Sequence, residues 1–275
     1  MTQPAMKQQS LLTVEGLEVV YQRSIVGVQD VALEVRAEGI VAILGSNGAG
    51  KTTTLRAISG FIGLDNARVT RGSVTFMGKR IENTPPHKIT QQGIVIVPER
   101  EKIFPNLSVA ENLTVAAPGH VGSTERRQLE HTVYDHFPRL GELKGRTAGL
   151  LSGGERQMLA IGAALVCKPK LLLIDELSLG LAPVIVDDLA HRLVEVRREL
   201  GMTILLVEQS AAVALRIADY GYVLENGRVA FQGSAETLKS DTKVQEFYLG
   251  TSGGERRSYS DIVRSRTSRR APHAA

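Results

Sequence analysis

A glycine-rich stretch of this sequence has the residue types and spacing of a loop that binds phosphate. It fits the pattern G-x-x-x-x-G-K-[ST] and consists of Gly45, Ser46, Asn47, Gly48, Ala49, Gly50, Lys51 and Thr52. Glycines in such a loop allow positive φ angles, so backbone N–H groups can come close to phosphate oxygens. Lys51 supplies a positive charge to the β- and γ-phosphates, and the Thr52 hydroxyl can bind Mg²⁺. The pattern therefore predicts a nucleoside triphosphate site.

The residues on either side of this loop fit a strand before it and a helix after it. Residues 39–44 form a continuous apolar run, which is typical of a strand buried on both faces. Residues 53–58 contain no helix breaker, so a helix beginning near Thr53 would point its N terminus at the phosphates. A chance glycine-rich turn is the alternative, and the strand-loop-helix context argues against it.

Two adjacent carboxylates follow a second buried run. Residues 171–174 read Leu-Leu-Leu-Ile, and Asp175 and Glu176 come next. Ligands bind at the carboxyl ends of parallel strands, so these side chains are expected beside the phosphate loop if the sheet is parallel. Asp175 then suits Mg²⁺, directly or through water, and Glu176 suits a general base that orients the attacking water. A solvated acidic turn is the alternative, but the apolar run before it makes that the weaker interpretation.

Two further apolar runs also end at polar residues. Residues 93–97 lead to Glu99, and residues 202–207 lead through Glu208 to Gln209. A polar side chain at the end of the second run can face the γ-phosphate if the strands are parallel.

A second glycine-rich turn stands before an Ala-rich helical segment. It consists of Leu151, Ser152, Gly153, Gly154 and Glu155. The helix N terminus could bind an anion, or Ser152 could simply cap the helix with Glu155 in capping-box position. Without further context the simple cap is the better interpretation, because residues 252–256 repeat the letters Ser-Gly-Gly-Glu-Arg where no apolar helix follows.

One aromatic residue lies upstream of the phosphate loop, in a stretch typical of a strand. Tyr21 could stack on an adenine base, or it could be an ordinary core residue, and the residues alone leave both interpretations open. Further along, residues 98–165 read as a helical insert in the α/β pattern. One helix of this insert begins near residue 107, with Asn106 or Ser108 as its cap.

Composition and charge exclude several classes of protein. The chain is 43% hydrophobic without a run near the ~18 apolar residues of a membrane span, and its polar start predicts a cytosolic protein. The single cysteine, Cys167, excludes an internal disulfide and is expected to be buried and inert. The net charge of +4 lies entirely in residues 251–275, for which we expect a disordered basic tail. The formally neutral body argues against a nucleic-acid partner.

The order of these features points to a known family. The phosphate loop, Glu99 at a strand end, the Leu-Ser-Gly-Gly-Glu turn and the Asp175-Glu176 pair occur in the order of an ATP-binding-cassette (ABC) transporter ATPase. Residues 11–250 resemble the nucleotide-binding subunit of that family. Four segments further resemble the second ATPase of branched-chain amino acid importers, with urea and amide importers as close relatives. These segments are residues 96–99, 103–105, 178–183 and 206–209.

The resemblance implies a fold and an activity. The fold is α/β, with a phosphate-loop (RecA-like) core, an antiparallel β subdomain and an inserted helical subdomain at about 98–165 that faces membrane partners. The activity is ATP hydrolysis with Mg²⁺, coupled to import through separate membrane permease subunits and, indirectly, a solute-binding protein. The location is the cytoplasmic face of the membrane. Alternatives are a related importer for urea, amides or other small solutes, and a soluble ABC ATPase outside transport.

The resemblance also implies how the site is completed. The family forms a head-to-tail dimer with a second copy or a second ATPase, in which Ser152 to Glu155 of one chain close over ATP on the other chain's loop. Tyr21 is then the adenine platform, Glu99 joins Thr52 and Asp175 at the metal, and Gln209 contacts the γ-phosphate.

Three positions depart from the family pattern. Most members have Gln where Glu99 stands and His where Gln209 stands, but both departures recur in the branched-chain subgroup. Leu177 replaces the proline that usually follows the catalytic glutamate, and we expect it to loosen the turn that presents Ser178.

Overall fold

The computed structural model describes residues 10–100, 103–119 and 121–248, which form two sheets and a layer of helices. The basic tail expected at 251–275 lies outside these residues. The first sheet is antiparallel, in the order β2-β1-β4-β5. Its strands are β1 (Ser10–Tyr21), β2 (Ile25–Arg36), β4 (Ala67–Phe76) and β5 (Lys79–Arg80). The stretch around Tyr21, typical of a strand, belongs to β1, whose pairing with β2 is interrupted by irregularities.

The second sheet has six strands in the order β10-β9-β3-β8-β7-β6. Strands β3, β6, β7 and β8 run parallel, β9 is parallel to β3, and β10 pairs antiparallel with β9. The strands are β3 (Ile40–Leu44), β6 (Ile94–Val97), β7 (Leu171–Asp175), β8 (Thr203–Glu208), β9 (Tyr220–Glu225) and β10 (Arg228–Ser234). Every residue of β3, β7 and β8 is buried, as the apolar runs predict for central parallel strands.

Ten α-helices lie among the described residues, and helices among them pack against both faces of the second sheet. They are α1 (Lys51–Ser59), α2 (Pro86–Gln92), α3 (Val109–Ala116), α4 (Ser123–His136), α5 (Pro138–Glu142), α6 (Gly153–Leu165), α7 (Pro183–Leu200), α8 (Ala211–Ile217), α9 (Ala235–Ser240) and α10 (Thr242–Tyr248). Helices α3 to α6 lie within residues 98–165. Ser108, rather than Asn106, caps α3, because its side chain accepts from the backbone of Glu111 while the Glu111 carboxylate accepts from Ser108.

Side chains of the central strands alternate between two cores, because successive residues of a strand point to opposite faces. Ile43 and Leu205 enter the core between the six-stranded sheet, α1 and the antiparallel sheet. Their neighbours Leu44 and Leu206 enter the core on the side of α3 to α7. The central strands are therefore fixed from both sides, and so are the residues at their ends.

Two glycines of the antiparallel sheet allow a matched test of packing. Gly72 and Gly78 have similar positive φ angles, 83° and 77°. A Cβ at Gly72 would lie 2.3 Å from the carbonyl oxygen of Glu15 and 2.4 Å from that of Gly16, whereas a Cβ at Gly78 would meet no atom within 4 Å. Both Gly→Ala changes strain the backbone, but only Gly72→Ala also forces two strands apart.

We therefore expect Gly72→Ala to lower the free energy of unfolding by about 1–3 kcal/mol more than Gly78→Ala does. Urea unfolding of the two variants, followed by circular dichroism, measures this difference. Equal losses in the two variants would contradict the tight approach of β1 and β4.

Candidate functional site

The loop between β3 and α1 has the geometry of a phosphate cradle. Gly45, Gly48 and Gly50 have φ angles of 154°, 80° and 99°. A Cβ at Gly45 would lie 2.5 Å from the Leu224 carbonyl oxygen, and one at Gly50 would lie 2.5 Å from Cγ1 of Val28. A Cβ at Gly48 would meet no atom within 4 Å, so the loop is packed on one side and open on the other. Backbone N–H groups on the open side can approach a bound anion.

Lys51 begins α1 and connects the loop to the carboxylates. Its ammonium nitrogen donates to the carbonyl oxygens of Gly45 (3.0 Å) and Ser46 (3.2 Å). The same nitrogen lies 3.5 Å from Oε1 of Glu176, and only 6% of the Lys51 side chain is exposed. The sequence-predicted phosphate ligand and general base are thus in contact.

The expected metal ligands also come together at this edge. The Thr52 hydroxyl donates to Oδ1 of Asp175 at 3.1 Å. Burial raises the pKa of Asp175 to about 6, the Thr52 hydrogen bond opposes this rise, and the negative charges of Glu176 and Glu99 add to it. Glu99 follows β6 and lies close enough to Asp175 to act on it, while one of its oxygens accepts from Arg100 at 3.1 Å.

These oxygen donors fit Mg²⁺. Among the described residues, no group of three or more His, Cys, Asp or Glu side chains is arranged to hold a metal ion by itself. Mg²⁺ usually keeps several waters and binds through one or two carboxylates together with substrate phosphates. The pair of Thr52 and Asp175 beside the phosphate loop is a donor set of that kind.

Glu176 lies just beyond the end of β7 in an unusual backbone conformation, with φ of 58°. Its backbone N–H donates to the Val207 carbonyl oxygen at 3.0 Å, and its Oε2 accepts from the backbone N–H of Gln209 at 3.2 Å. Both partners, Val207 and Gln209, lie in β8 or directly after it, so the neighbouring strand orients the Glu176 carboxylate. Gln209 is half-buried at the same edge.

Tyr21 lies beside the first turn of α1. Its hydroxyl is 3.0 Å from the Thr53 hydroxyl, and a Cβ at Gly27 would lie 2.6 Å from its ring. The side chain is half-buried and also packs against the core, so the structure combines features of both interpretations.

The second glycine-rich turn caps α6 as its capping-box spacing predicts. The Ser152 side chain accepts from the Glu155 backbone, and the Glu155 carboxylate accepts from the Ser152 N–H at 2.8 Å. The other Glu155 oxygen accepts from Arg139 at 3.0 Å, and the bond from the Ser152 backbone is the main reason for the lowered pKa of Glu155. Ser152 and Gly153 are exposed, and no hydrogen bond or ion pair of the described residues joins this turn to the phosphate loop of the same chain.

Sequence reasoning missed the role of Glu208. Its carboxylate is fully buried, and its two oxygens accept from the backbone N–H and the hydroxyl of Ser178, at 2.8 and 2.9 Å. Burial raises the pKa of Glu208 to about 7, with the charge of Glu176 adding to the rise. The turn at Ser178 is therefore held by two hydrogen bonds, and Leu177 beside it is fully buried. A charged residue directly after an apolar run was the available signal.

Comparisons with known proteins agree with this geometry. A family model described as ABC transporter matches residues 28–178, more than half of the chain. The chain belongs to the ABC transporter family. BraG of Pseudomonas aeruginosa, a high-affinity branched-chain amino acid transport ATP-binding protein, is 42% identical over 84% of this chain and 96% of its own. LivF of Archaeoglobus fulgidus, a probable branched-chain amino acid transport ATP-binding protein, is 40% identical over 80% of this chain and 91% of its own.

A solved structure extends the agreement to the fold. The ADP conformation of MJ1267, an ATP-binding cassette of an ABC transporter, aligns with a TM-score of 0.76 at 27% identity and covers 88% of this chain and 99% of its own. This confirms the expected α/β cassette and the nucleotide-binding ATPase class. None of the described helices of this ABC ATPase has the length and hydropathy to cross a membrane.

Replacing Glu208 by glutamine should weaken the dependence of stability on pH. The pKa of Glu208 rises from its ordinary value of 4.5 to about 7, so between these values the folded protein binds a proton that the unfolded chain releases. Glu208 should therefore contribute a fall of roughly 3 kcal/mol to the free energy of unfolding of the wild type as pH rises through this window, and the raised pKa of Asp175 adds a fall of the same sign. An amide does not bind this proton, so Glu208→Gln removes the contribution.

Thermal unfolding of wild type and Glu208→Gln at about pH 5 and about pH 8 measures the effect. Glu236→Gln, at an exposed position of α9, is the matched control and should behave as the wild type does. The same pH slope in wild type and Glu208→Gln would show that Glu208 does not titrate in this window.

Proposed function

We propose that this ABC ATPase hydrolyses ATP to power import of branched-chain amino acids through separate membrane permease subunits. The observation that carries the proposal is similarity along almost the whole length of two transport ATP-binding proteins with that named solute class, BraG and LivF. In this proposal the solute is bound and carried by the partner proteins, which include a solute-binding protein. The chain itself acts at the cytoplasmic face of the membrane, with residues 98–165 towards the permeases.

The phosphate end of the substrate is held by the loop and by α1. In the proposal, the backbone of residues 45–50 surrounds the phosphates, Lys51 binds the β- and γ-phosphate oxygens, and Thr53 lies at the first turn of the helix. Tyr21 stacks on the adenine ring, which its position beside Thr53 supports. The 3.5 Å ion pair of Lys51 with Glu176 supports a position of the γ-phosphate beside the proposed base.

Thr52 and Asp175 would hold the cation, with Glu99 at the edge of the site. Mg²⁺ when bound neutralises charge that develops on the β- and γ-phosphate oxygens. The oxygen donors of Thr52 and Asp175 already lie 3.1 Å apart, which supports a shared ligand role.

Glu176 acts as the general base in this proposal. Its carboxylate accepts a proton from the water that attacks the γ-phosphorus, the bond from this phosphorus to the β,γ-bridging oxygen breaks, and ADP leaves with that oxygen, while Gln209 donates to the γ-phosphate through its side-chain amide. The fixed orientation of Glu176, between Lys51 and the backbone of Gln209, supports this role, since a base must lie within hydrogen-bond reach of the proton it takes.

The site is completed by a second chain. The N terminus of α6, with Ser152, Gly153 and Gly154, covers ATP on the partner's phosphate loop, and Glu155 holds Ser152 in place. Exposure of Ser152 and Gly153 supports this arrangement, as does the exposed apolar residue Leu179 in the nearby turn. The partner is a second copy or a second ABC ATPase.

Reconstitution in vesicles tests the proposed transport. The chain is copurified with its membrane partners and solute-binding protein, and ATP hydrolysis and solute uptake are measured together. Leucine, isoleucine and valine should stimulate both, and urea and acetamide should not. Glu176→Gln should lower both by about 10²–10⁴-fold, the usual contribution of a general base, while the exposed control Glu195→Gln should match wild type.

Stimulation by urea or acetamide instead would assign the chain to a related importer. Hydrolysis without any membrane partner in the purified complex would favour a soluble ABC ATPase. Wild-type turnover in Glu176→Gln would remove Glu176 from the role of base.

Mixing two inactive variants tests the shared site. Lys51→Ala disables the phosphate loop, and Ser152→Arg blocks the α6 N terminus that serves the partner. If sites are shared in a homodimer, half of the dimers in an equal mixture are mixed, and each keeps one intact site. Activity should then return to about a quarter of wild type, since a two-fold dimer has two equivalent sites.

A mixture of Lys51→Ala with Lys51→Ala/Ser152→Arg is the control and should stay inactive. If the first mixture shows no recovery although the chains exchange in solution, sites are not shared between identical chains. In that case, ATPase activity of Lys51→Ala and of Ser152→Arg is measured with each variant paired with a second, unchanged ABC ATPase.

A further inference from the structure

A buried carboxylate near the hydrolytic edge has no cation to balance it. Glu208 is the last residue of β8, and none of its hydrogen bonds or ion pairs among the described residues involves Lys, Arg or His. Its two oxygens both bind Ser178, and the backbone of Ser210 also favours the ionised form. Removing a carboxylate from water without a cationic partner is unfavourable for folding, so its two aligned bonds to Ser178 call for a role beyond packing.

Consecutive residues of the β8 end hold both Glu176 and Ser178. Glu176 is bound by the Val207 carbonyl oxygen and by the Gln209 N–H, at 3.0 and 3.2 Å. Glu208, between these two, binds Ser178. The start of the segment 176–182, which we call the switch turn, is therefore attached to one strand at two points.

The far end of the switch turn packs against the N terminus of α6. The Leu181 N–H donates to the Ser178 carbonyl oxygen at 3.2 Å, so the position of Ser178 sets that of Leu181. A Cβ at Gly153 would lie 3.2 Å from a methyl carbon of Leu181 in the switch turn, and one at Gly154 would lie 2.7 Å from Cγ2 of Ile185, in the first turn of α7 that follows it. Close packing of this kind transmits a displacement of the turn to the residues that face the second chain.

We propose that Glu208 is a positioning residue that clamps Ser178 and so fixes Glu176 relative to the N terminus of α6. Glu208 does not touch substrate, and its effect passes through the switch turn. The proposal rests on the proposed function, in which Glu176 is the base and α6 serves the partner's nucleotide. A loosened turn disturbs the orientation of the base and the closure of the paired site more than the first binding of nucleotide to the phosphate loop.

Variants at both partners of the clamp test the proposal. Glu208→Ala removes both hydrogen bonds and should lower kcat by about ten- to a hundredfold. The Kd of a fluorescent ATP analogue, measured without Mg²⁺ so that no hydrolysis takes place, should stay within about twofold of the wild-type Kd. Ser178→Ala removes only the hydroxyl bond and should lower kcat by a smaller factor. Glu208→Gln keeps an acceptor for the N–H and offers an amide donor to the hydroxyl, so it should retain most of the kcat.

The double variant Glu208→Ala/Ser178→Ala shows whether the two residues act as one unit. Its kcat should equal that of Glu208→Ala, because the hydroxyl bond is already lost. Amide hydrogen exchange provides a second readout, and Ser178 and Leu181 should exchange faster in Glu208→Ala but not in Glu195→Gln.

Several outcomes would overturn the clamp. They are wild-type kcat in folded Glu208→Ala, additive losses in the double variant, and a parallel loss of kcat, nucleotide affinity and melting temperature. If Glu208→Ala does not fold, Ser178→Ala decides the question, since wild-type kcat in that variant contradicts the proposal. Failure of the proposed function is separate, because it would show as wild-type activity in Glu176→Gln, whatever the kcat of the Glu208 and Ser178 variants.

Discussion

The parallel pairing of β3, β8 and β7 is the constraint on which the site depends. Leu44 lies opposite Glu208, and Asp175 lies opposite Val207, so three strands end at the same level. Because side chains of these strands are buried on both faces, a shift in register would place charged strand-end residues inside a core. The pairing that satisfies the apolar residues therefore also brings the phosphate loop, Asp175 and Glu176 together.

The parts of this arrangement that follow from local sequence are predictable. Continuous runs of Val, Ile and Leu identify β3, β7 and β8, and the strand-loop-helix pattern locates the phosphate loop with its correct neighbours. The capping box at Ser152 is equally local, and its geometry is as expected. The antiparallel sheet is less well anticipated, because the pairing of β1 with β2 has several register shifts that a local residue pattern does not show.

Contacts between distant residues are not predictable in the same way. The bonds between Ser178 and Glu208 join residues 30 positions apart. They depend on the path of a turn in which Leu177 takes the place of the family's usual proline. From the sequence alone, that substitution suggests a looser turn, but a carboxylate from the neighbouring strand restrains it. The relation of the α6 N terminus to the phosphate loop is also beyond local patterns, since in the proposed dimer it is made between two chains.

The strand order has a consequence for how the chain is made. β1 and β2 are consecutive and β4 ends at Phe76, so these strands can pair early, but the partners of β3 in the sheet are β8 and β9, which begin at Thr203 and Tyr220. Contacts so far apart in sequence form slowly, and during synthesis they cannot form until most of the chain has left the ribosome. The phosphate loop and β3 are therefore translated well before the strands that pair with β3, and an unpaired apolar strand is prone to aggregation during this interval.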